Sequence, residues 1–119
     1  MSLWAFQEKL DPKWANYAYS KIGDTSAVGC FPPNGYDLYD MVGNVLEWTR
    51  SLYRPCPYQP KDGREESLKS GTRVLRGGAF DDNSSYARCS VRPNNNPIPF
   101  ARHSHYGLRV AVTPTFSER

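Results

Sequence analysis

The sequence predicts a single α+β domain in which a small sheet supports long irregular loops and little helix is present. Ten prolines and nine glycines among 119 residues predict many turns and leave little room for long helices. Hydrophobic residues make up 39% of the chain and aromatic residues 13%, which favours a folded core over a disordered chain. A chain of this length has one modest core, so residues 1–119 are expected to be one domain.

Three segments predict the sheet. Arg73–Arg76 places two apolar residues between two arginines and predicts a strand that stops at Gly77-Gly78, where a bulge or a close backbone approach is expected. Residues 106–112 alternate again and predict the closing strand. Residues 42–48 are predicted to be extended, whereas residues 36–41 form one helical turn or a loop.

The remaining segments predict turns and loops. Residues 3–10 can form a short amphipathic helix that ends at Asp11-Pro12, because the residue before a proline disfavours the α conformation. Residues 31–35 are predicted to form a turn, since two prolines fix φ and Asn-Gly supplies a positive φ. Residues 54–71 are polar and predict a surface loop, and residues 81–105 have no periodicity.

Charge and cysteine content limit the possible partners. The net charge of +3 is small and no run of Lys or Arg alternates with aromatic residues, so no nucleic-acid partner is expected. The sequence has no signal-peptide-like or membrane-spanning apolar segment, so no membrane partner is expected. Three cysteines leave at least one thiol unpaired within a monomer. A cytoplasmic location is the resulting expectation.

Three sequence blocks resemble the formylglycine-generating (sulfatase-modifying factor) family. They are Asn34–Thr49, Arg73–Phe80 and Tyr106–Val110, in the order and spacing of the C-terminal half of that domain. The resemblance covers residues 14–112. It implies a C-type-lectin-like fold with a small twisted antiparallel sheet, little helix and long irregular loops. It also implies an N-terminally shortened domain, so an additional N-terminal domain or a partner subunit is expected.

The segment from Asp40 to Glu47 has the spacing of an oxygen-ligand site. In an extended chain alternate residues face the same way, so the carbonyl oxygens of Gly43 and Val45 converge with the Glu47 carboxylate. Asp40 approaches from the preceding turn. Such oxygens suit Ca²⁺, which takes about six to eight of them. The residues also allow an alternative without an ion, in which the polar side chains hydrogen-bond loop backbone and Trp48 packs in the core.

The family resemblance favours the calcium site over the ion-free alternative. The family places a carboxylate or amide at the position of Asp40, carbonyls at those of Gly43 and Val45, and a glutamate at that of Glu47. A weaker second calcium site is implied at Asn16 and the Tyr17 carbonyl, with Asp24 as a substitute ligand.

The resemblance raises an enzymatic alternative that the residues do not favour. The oxidative members of the family bind copper through a cysteine pair, and thiolates suit Cu(I). Here Asp82 stands at the first cysteine position, and the second falls near Ser84 or Ser85. Cys89 matches a structural cysteine of the family and is predicted to be a small buried residue. An oxidoreductase of this type therefore stays the alternative.

A second enzymatic alternative is the iron-dependent sulfoxide synthases of the same superfamily. These enzymes take their iron-ligating histidines from another domain. His103 and His105 are the only histidines of this chain, and a third metal ligand is not evident nearby. Solvated loop histidines are the favoured interpretation.

The segment from Phe80 to His105 is predicted to be a ligand-binding surface, and no catalytic residue is assigned. Long loops without secondary structure are usually functional or disordered, and strands at both ends anchor this one. Its aromatic and amide side chains are those that recognition surfaces use. Three arginines, Arg88, Arg92 and Arg109, are predicted to tie it to the sheet. The candidate ligand-binding residues are Phe80, Asp82, Asn83, Ser85, Tyr86, Asn94, Asn95, Phe100, His103 and His105.

These inferences predict a non-catalytic module that binds an unknown protein or small-molecule ligand on a calcium-stabilised scaffold. The same segment also resembles the hypervariable segment of diversity-generating-retroelement variable proteins. In those proteins adenine-directed mutagenesis yields Asn, Ser, Tyr, His, Asp, Phe and Ile. Hypervariability of residues 80–105 is therefore a further hypothesis.

Overall fold

The computed structural model describes residues 9–93 and 104–115. Three short strands form one sheet: β1 (Leu46–Leu52), β2 (Arg73–Arg76) and β3 (Tyr106–Leu108), in the order β2-β1-β3. One 3₁₀ turn, Ala18–Ser20, is the helical element of the described residues. This small sheet with long loops and almost no helix confirms the predicted fold class.

The sheet is mixed, whereas a wholly antiparallel sheet was expected. β1 pairs antiparallel with β2 but parallel with β3, with Leu46 beside Tyr106 and Trp48 beside Leu108. A parallel pair needs a long crossover connection, and the chain from residue 53 to residue 105 supplies one. This crossover includes the predicted binding segment, so both ends of that segment are attached to the sheet.

Two strand predictions were too long. Residues 42–45 are not extended, because Gly43 and Asn44 have φ of 78° and 67° and the strand begins only at Leu46. The closing strand ends at Leu108 instead of Val112. Beyond it the chain has no strand partner among residues 9–93 and 104–115, and Val110 and Val112 are exposed. Alternation alone does not make a strand without a neighbour to pair with.

The predicted Asn-Gly turn is present but uses a different residue for the left-handed conformation. The Asp37 N–H donates to the Asn34 carbonyl at 3.0 Å, and Asp37, not Gly35, has a positive φ of 58°. The buried Asn34 side-chain oxygen accepts from the N–H groups of Tyr36 and Leu38. Residues 36–41 are therefore a loop that an asparagine side chain organises. The helix predicted for residues 3–10 lies outside the described residues, except at its last two positions.

Among the described residues the core has two small apolar clusters. One includes Val42, just before the 43–44 turn in sequence, and the other includes Leu46, just after it. Leu46, Leu75 and Ala79 form one, with Trp48 and Tyr106 against it. The rings of Trp48 and Tyr106 meet edge to face at a centroid distance of 5.7 Å. The second cluster joins the N-terminal segment to the loops; its members are Leu10, Ala15, Tyr17, Val42 and Ala87. In the described part of the chain no helix has the length and apolarity to cross a membrane.

The left-handed pair Gly43-Asn44 joins three segments of the chain through backbone hydrogen bonds. The Gly43 N–H donates to the Gly77 carbonyl at 2.8 Å, and the Asn44 N–H donates to the Asn16 carbonyl at 2.8 Å. The Asn44 carbonyl accepts from the Phe80 N–H at 2.9 Å. These bonds need a close approach of Asn16 to Gly43, because a Cβ on Gly43 would overlap the Asn16 carbonyl oxygen and lie 2.9 Å from its carbon.

We expect Gly43→Ala to destabilise the fold by at least about 3 kcal/mol, since left-handed strain adds to a backbone overlap that no side chain can relieve. Gly23→Ala is the matched control. Gly23 has a similar φ of 75° but open space around the added methyl group, so we expect a loss of about 1 kcal/mol. Urea unfolding of both variants measures the difference, and equal losses would contradict the packing argument.

Candidate ligand-binding site

Asp82 organises the start of the predicted binding segment. Its Oδ2 accepts from the Ala79 N–H at 2.9 Å, and its own N–H donates to the Ala79 carbonyl at 3.1 Å. The Asp82 carbonyl accepts from the Ala18 N–H at 2.9 Å. Asp82 therefore closes the turn after Gly77-Gly78 and ties the segment to the N-terminal part of the chain.

Asp82 is also electrostatically distinct. Partial burial raises the pKa of its carboxyl group, and the negative charge of Asp81 acts in the same direction. The N–H of Ala79 and the nearby His105 oppose this shift in the Asp82 pKa. A half-buried carboxyl group with a raised pKa at the edge of a cavity is a feature of functional sites.

A cavity of about 220 Å³ lies beside Asp82. Its floor is the apolar core, through Leu46 and Leu75, and its walls are polar and aromatic. The lining residues are Leu46, Leu75, Asp82, Tyr86, Pro93, His105 and Tyr106. Three predicted ligand-binding residues, Asp82, Tyr86 and His105, thus meet around one cavity. Leu46, Leu75 and Pro93 were not predicted to line a cavity, because no local sequence pattern distinguishes a core residue that does so.

The pairing of β1 with the start of β3 determines the position of His105. The Leu46 N–H donates to the His105 carbonyl at 2.8 Å, so His105 enters immediately before β3. Its ring meets that of Tyr106 edge to face, with centroids 4.8 Å apart. The parallel pairing of β1 with β3 is what brings this end of the binding segment next to Asp82.

The predicted ligand-binding residues differ in exposure and in hydrogen-bond partners. Tyr86 is 47% exposed and presents its ring to solvent at the cavity. The exposed Asn83 and Ser85 bond each other, since Asn83 Oδ1 accepts from the N–H and hydroxyl of Ser85. Phe80 is half-buried, and its N–H is bound to Asn44. Four predicted residues lie outside the described part of the chain: Asn94, Asn95, Phe100 and His103.

The arginines predicted to tie the binding segment to the sheet have different partners. Arg88 donates locally to the Ser85 carbonyl at 3.0 Å. Arg92 donates to the Arg54 carbonyl at 2.8 Å and so connects the segment to the 54–71 loop. Arg109 binds the Glu47 carboxylate, with Nη2 at 2.9 Å from Oε1 and Nε at 3.0 Å from Oε2. That same Nη2 donates to the carbonyls of Tyr39 and Asp40.

The first predicted calcium ligands have suitable chemistry, but Glu47 already has a cationic partner. Arg109 binds both of its carboxylate oxygens, and this pairing raises the pKa of Arg109. Asp40 Oδ2 accepts from the Gly29 N–H at 2.8 Å. The carbonyls of Gly43 and Val45 accept no hydrogen bond from the described residues. The left-handed backbone at Gly43 replaces the alternation on which the predicted convergence relied.

The second predicted calcium site contains an unsatisfied acceptor. Asn16 is buried, its Nδ2 donates to the Asp24 carbonyl at 2.9 Å, and its Oδ1 has no hydrogen-bond partner within residues 9–93 and 104–115. The Tyr17 carbonyl accepts from the Ser20 N–H, and the Asp24 carboxylate accepts from the Thr25 N–H. A buried amide oxygen without a donor fits a hard cation. The described residues contain no group of three His, Cys, Asp or Glu side chains around one point, so a cation here would need carbonyl or amide oxygens in addition to any carboxylate.

The cysteines lie apart from the cavity. Cys30, Cys56 and Cys89 are all exposed free thiols, and none of the described cavity-lining residues is a cysteine. The prediction that Cys89 is buried was wrong. Ala87, two residues earlier, is the residue that packs against Gly78, and the turn that follows directs Cys89 outward.

The fold and this arrangement define a class of protein. Residues 2–114 match the model of the sulfatase-modifying factor enzyme 1-like domain. The chain therefore belongs to the sulfatase-modifying factor (formylglycine-generating enzyme) family.

Known proteins resemble this chain over most of its length. It is 38% identical over 108 residues to a serine/threonine-protein kinase pkn1 of Chlamydia pneumoniae, covering 87% of this chain and 17% of that protein. It is 35% identical to the formylglycine-generating enzyme of Mus musculus, covering 92% and 34% of the two chains. It is 40% identical to the inactive C-alpha-formylglycine-generating enzyme 2 of Mus musculus, covering 72% and 25%.

A solved structure has the same fold. Treponema denticola variable protein 1 superposes with a TM-score of 0.72 at 29% identity, covering 91% of this chain and 40% of that one. The chain thus spans about a sixth to two fifths of the length of the proteins it matches.

The raised Asp82 pKa predicts a pH effect that Asp82→Asn should remove. In the folded protein this carboxyl group binds its proton more tightly than in the unfolded chain, so its contribution to stability is largest at low pH. That contribution is lost as pH rises through the folded-state pKa. The quantity to compare is the difference in the free energy of unfolding between the unaltered protein and Asp82→Asn. We expect this difference to decrease as the pH is raised from below 3.8, the ordinary aspartate pKa, to about 7. Urea unfolding across this pH range measures it; a constant or rising difference would contradict the burial of the carboxylate.

Proposed function

We propose that this chain is a non-catalytic ligand-binding module of the sulfatase-modifying factor family. The observation that carries the proposal is the cavity at which Asp82, Tyr86 and His105 meet. An acidic group, an exposed aromatic ring and an imidazole surround an apolar floor, which is the composition of a small-ligand site. The volume of about 220 Å³ suits one functional group of a larger ligand, such as a protein side chain or the end of a small molecule.

The lack of a thiol among the described residues of the cavity supports a binding role over the copper oxidase alternative. Asp82 stands where the resemblance places the first copper-binding cysteine, and its carboxylate is engaged with the Ala79 N–H. Copper(I) chemistry needs soft ligands, and a carboxylate does not replace a thiolate. One relative is named as an inactive formylglycine-generating enzyme, so a protein of this family can be named as having no such activity.

The similarity to a variable protein supports the choice of surface. Treponema denticola variable protein 1 shares the fold, and the cavity walls in this chain come from the segment for which variability is predicted. Hypervariability of residues 80–105 stays a prediction. A near-copy of their codons that differs at adenines in the flanking DNA would support it.

A fragment screen tests the binding site even though the natural ligand is unidentified. We expect small aromatic and basic fragments, observed by ¹⁵N NMR of the intact chain, to shift the amide signals of Asp82, Tyr86 and His105. Tyr86→Ala should weaken the best fragment about tenfold, because a central aromatic contact contributes about 1–2 kcal/mol. Tyr36→Ala is the matched control, since Tyr36 is an 83% exposed tyrosine of a separate turn.

Two outcomes would contradict this function. Fragments that bind elsewhere, or equally well to Tyr86→Ala and Tyr36→Ala, would remove the cavity as the site. Stoichiometric copper together with oxygen consumption in the presence of a cysteine-containing peptide would instead establish the oxidase.

We propose further that Ca²⁺ binds the scaffold and stabilises it. The unsatisfied Oδ1 of Asn16 supports a cation at the second set of residues, and the available carbonyls of Gly43 and Val45 support one at the first set. Glu47 would share its carboxylate between such an ion and Arg109. In both positions the ion would bind carboxylate, amide or carbonyl oxygens, which are the ligands that Ca²⁺ prefers.

We expect Ca²⁺ at a hundredfold excess over its Kd to add about 2.7 kcal/mol of stability, and thus to raise the melting temperature by several degrees over EDTA-treated protein. Two variants separate the sites. Glu47→Gln should abolish the shift if the first set binds, and Asp24→Asn should reduce it if the second set does. An equal effect of Mg²⁺, or no shift with either ion, would contradict calcium binding.

A further inference from the structure

A second pocket lies on the face of the sheet opposite the Asp82 cavity. Side chains alternate along a strand, so Val74 and Arg76 of β2 point away from the face that carries Leu75. The pocket has a volume of about 260 Å³. Its lining residues are Thr49, Ser51, Leu52, Cys56, Tyr58, Arg64, Val74, Arg76 and Arg92.

Two arginine side chains are held in this pocket by backbone carbonyls, a cysteine sulfur and an aromatic ring. Arg92 Nη2 donates to the Cys56 sulfur at 2.8 Å, its Nη1 donates to the Arg54 carbonyl, and its guanidinium stacks 5.0 Å from the Tyr53 ring centre. Arg76 Nη1 donates to the carbonyl oxygens of Cys89 and Val91, at 3.0 and 3.3 Å. These contacts orient both guanidinium groups, and none of them involves a carboxylate.

The other charges around the pocket are balanced. Arg64, the third arginine in the lining, pairs with Asp62 at 2.7 Å. Glu65 accepts from the hydroxyls of Ser51 and Tyr58 at the rim and lies 3.8 Å from Arg50. Arg76 and Arg92 take part in no ion pair with the described residues. Within that part of the chain, the pocket therefore has two arginines that no carboxylate neutralises.

This arrangement costs stability in the absence of an anion. Burial, together with the positive charge of Arg92, lowers the pKa of Arg76, whereas Cys56 and Cys89 oppose this shift. A guanidinium group that is both partly buried and next to another cation is stabilised by an oxyanion that accepts from both. Nη2 and Nε of Arg76 donate to none of the described residues, so the donors for such an anion are available.

We propose that Arg76 and Arg92 form an anion-binding site for a small molecule that has a carboxylate or phosphate group. The volume limits the ligand to a small organic acid or a phosphate ester, since it falls below the range of drug-sized pockets, which starts at about 300 Å³. The site is separate from the Asp82 cavity and does not depend on the function proposed for it.

Cys56 provides a reporter inside the pocket. Iodoacetate and iodoacetamide alkylate the same thiolate, but only iodoacetate is an anion. The ratio of their rates at one cysteine therefore cancels differences in thiol ionisation and exposure. Cys30 is the internal control, because it is an exposed thiol in another loop that does not line this pocket.

We expect the iodoacetate-to-iodoacetamide ratio at Cys56 to be about fivefold that at Cys30, since two nearby cations concentrate the anionic reagent. Peptide mapping by mass spectrometry assigns each rate to its cysteine in the intact chain. Inorganic phosphate or acetate, at ionic strength matched with NaCl, should slow iodoacetate at Cys56 and not at Cys30. Protection by phosphate alone indicates a phosphate ester, and protection by both indicates a general oxyanion site.

Equal ratios at the two cysteines and no protection by either anion would overturn the proposal. Arg76→Gln and Arg92→Gln should each reduce the Cys56 ratio about twofold, whereas Arg88→Gln should leave it unchanged. Thermal unfolding of each variant shows whether it is folded. The competition measurement uses the unaltered protein, so it decides the question even if a variant does not fold.

Discussion

The close approach of Asn16 to Gly43 is the constraint on which the rest of the structure depends. A glycine at 43 lets the N-terminal segment pass without a side chain between the two backbones. The left-handed turn then directs the backbone groups of residues 43 and 44 to Asn16, Gly77 and Phe80. Main-chain hydrogen bonds thereby join three stretches of chain that are distant in sequence. These bonds add to those of a small sheet, in which the described residues form three short strands.

This arrangement gives the two faces of the sheet different chemistry. On one face the apolar floor of Leu46 and Leu75 lies beneath an acidic and aromatic cavity. On the other face Arg76 and Arg92 lie in a pocket that is rich in positive charge. Both sites take their walls from loops and their floors from strands, so the same backbone frame supports two surfaces of opposite charge.

Local patterns predicted the features that depend on few neighbours. The Arg73–Arg76 strand ends at Gly77-Gly78 as the sequence indicates, because two adjacent glycines act locally on the backbone that follows them in the turn. Three of the predicted ligand-binding residues meet at one cavity because strands anchor both ends of their segment. The partner of Glu47 was not predicted. Arg109 is 62 residues away, and no local pattern distinguishes an ion pair from a calcium ligand.

The sequence by itself determined the family and the end of the Arg73–Arg76 strand at Gly77-Gly78. These follow from residue identity at motif positions. The tertiary structure decided the parallel pairing of β3, the burial that raises the Asp82 pKa, the exposure of Cys89 and the convergence of Arg76 with Arg92. Pairing direction, burial and charge balance depend on groups brought together from distant parts of the chain, and only the folded backbone fixes their distances.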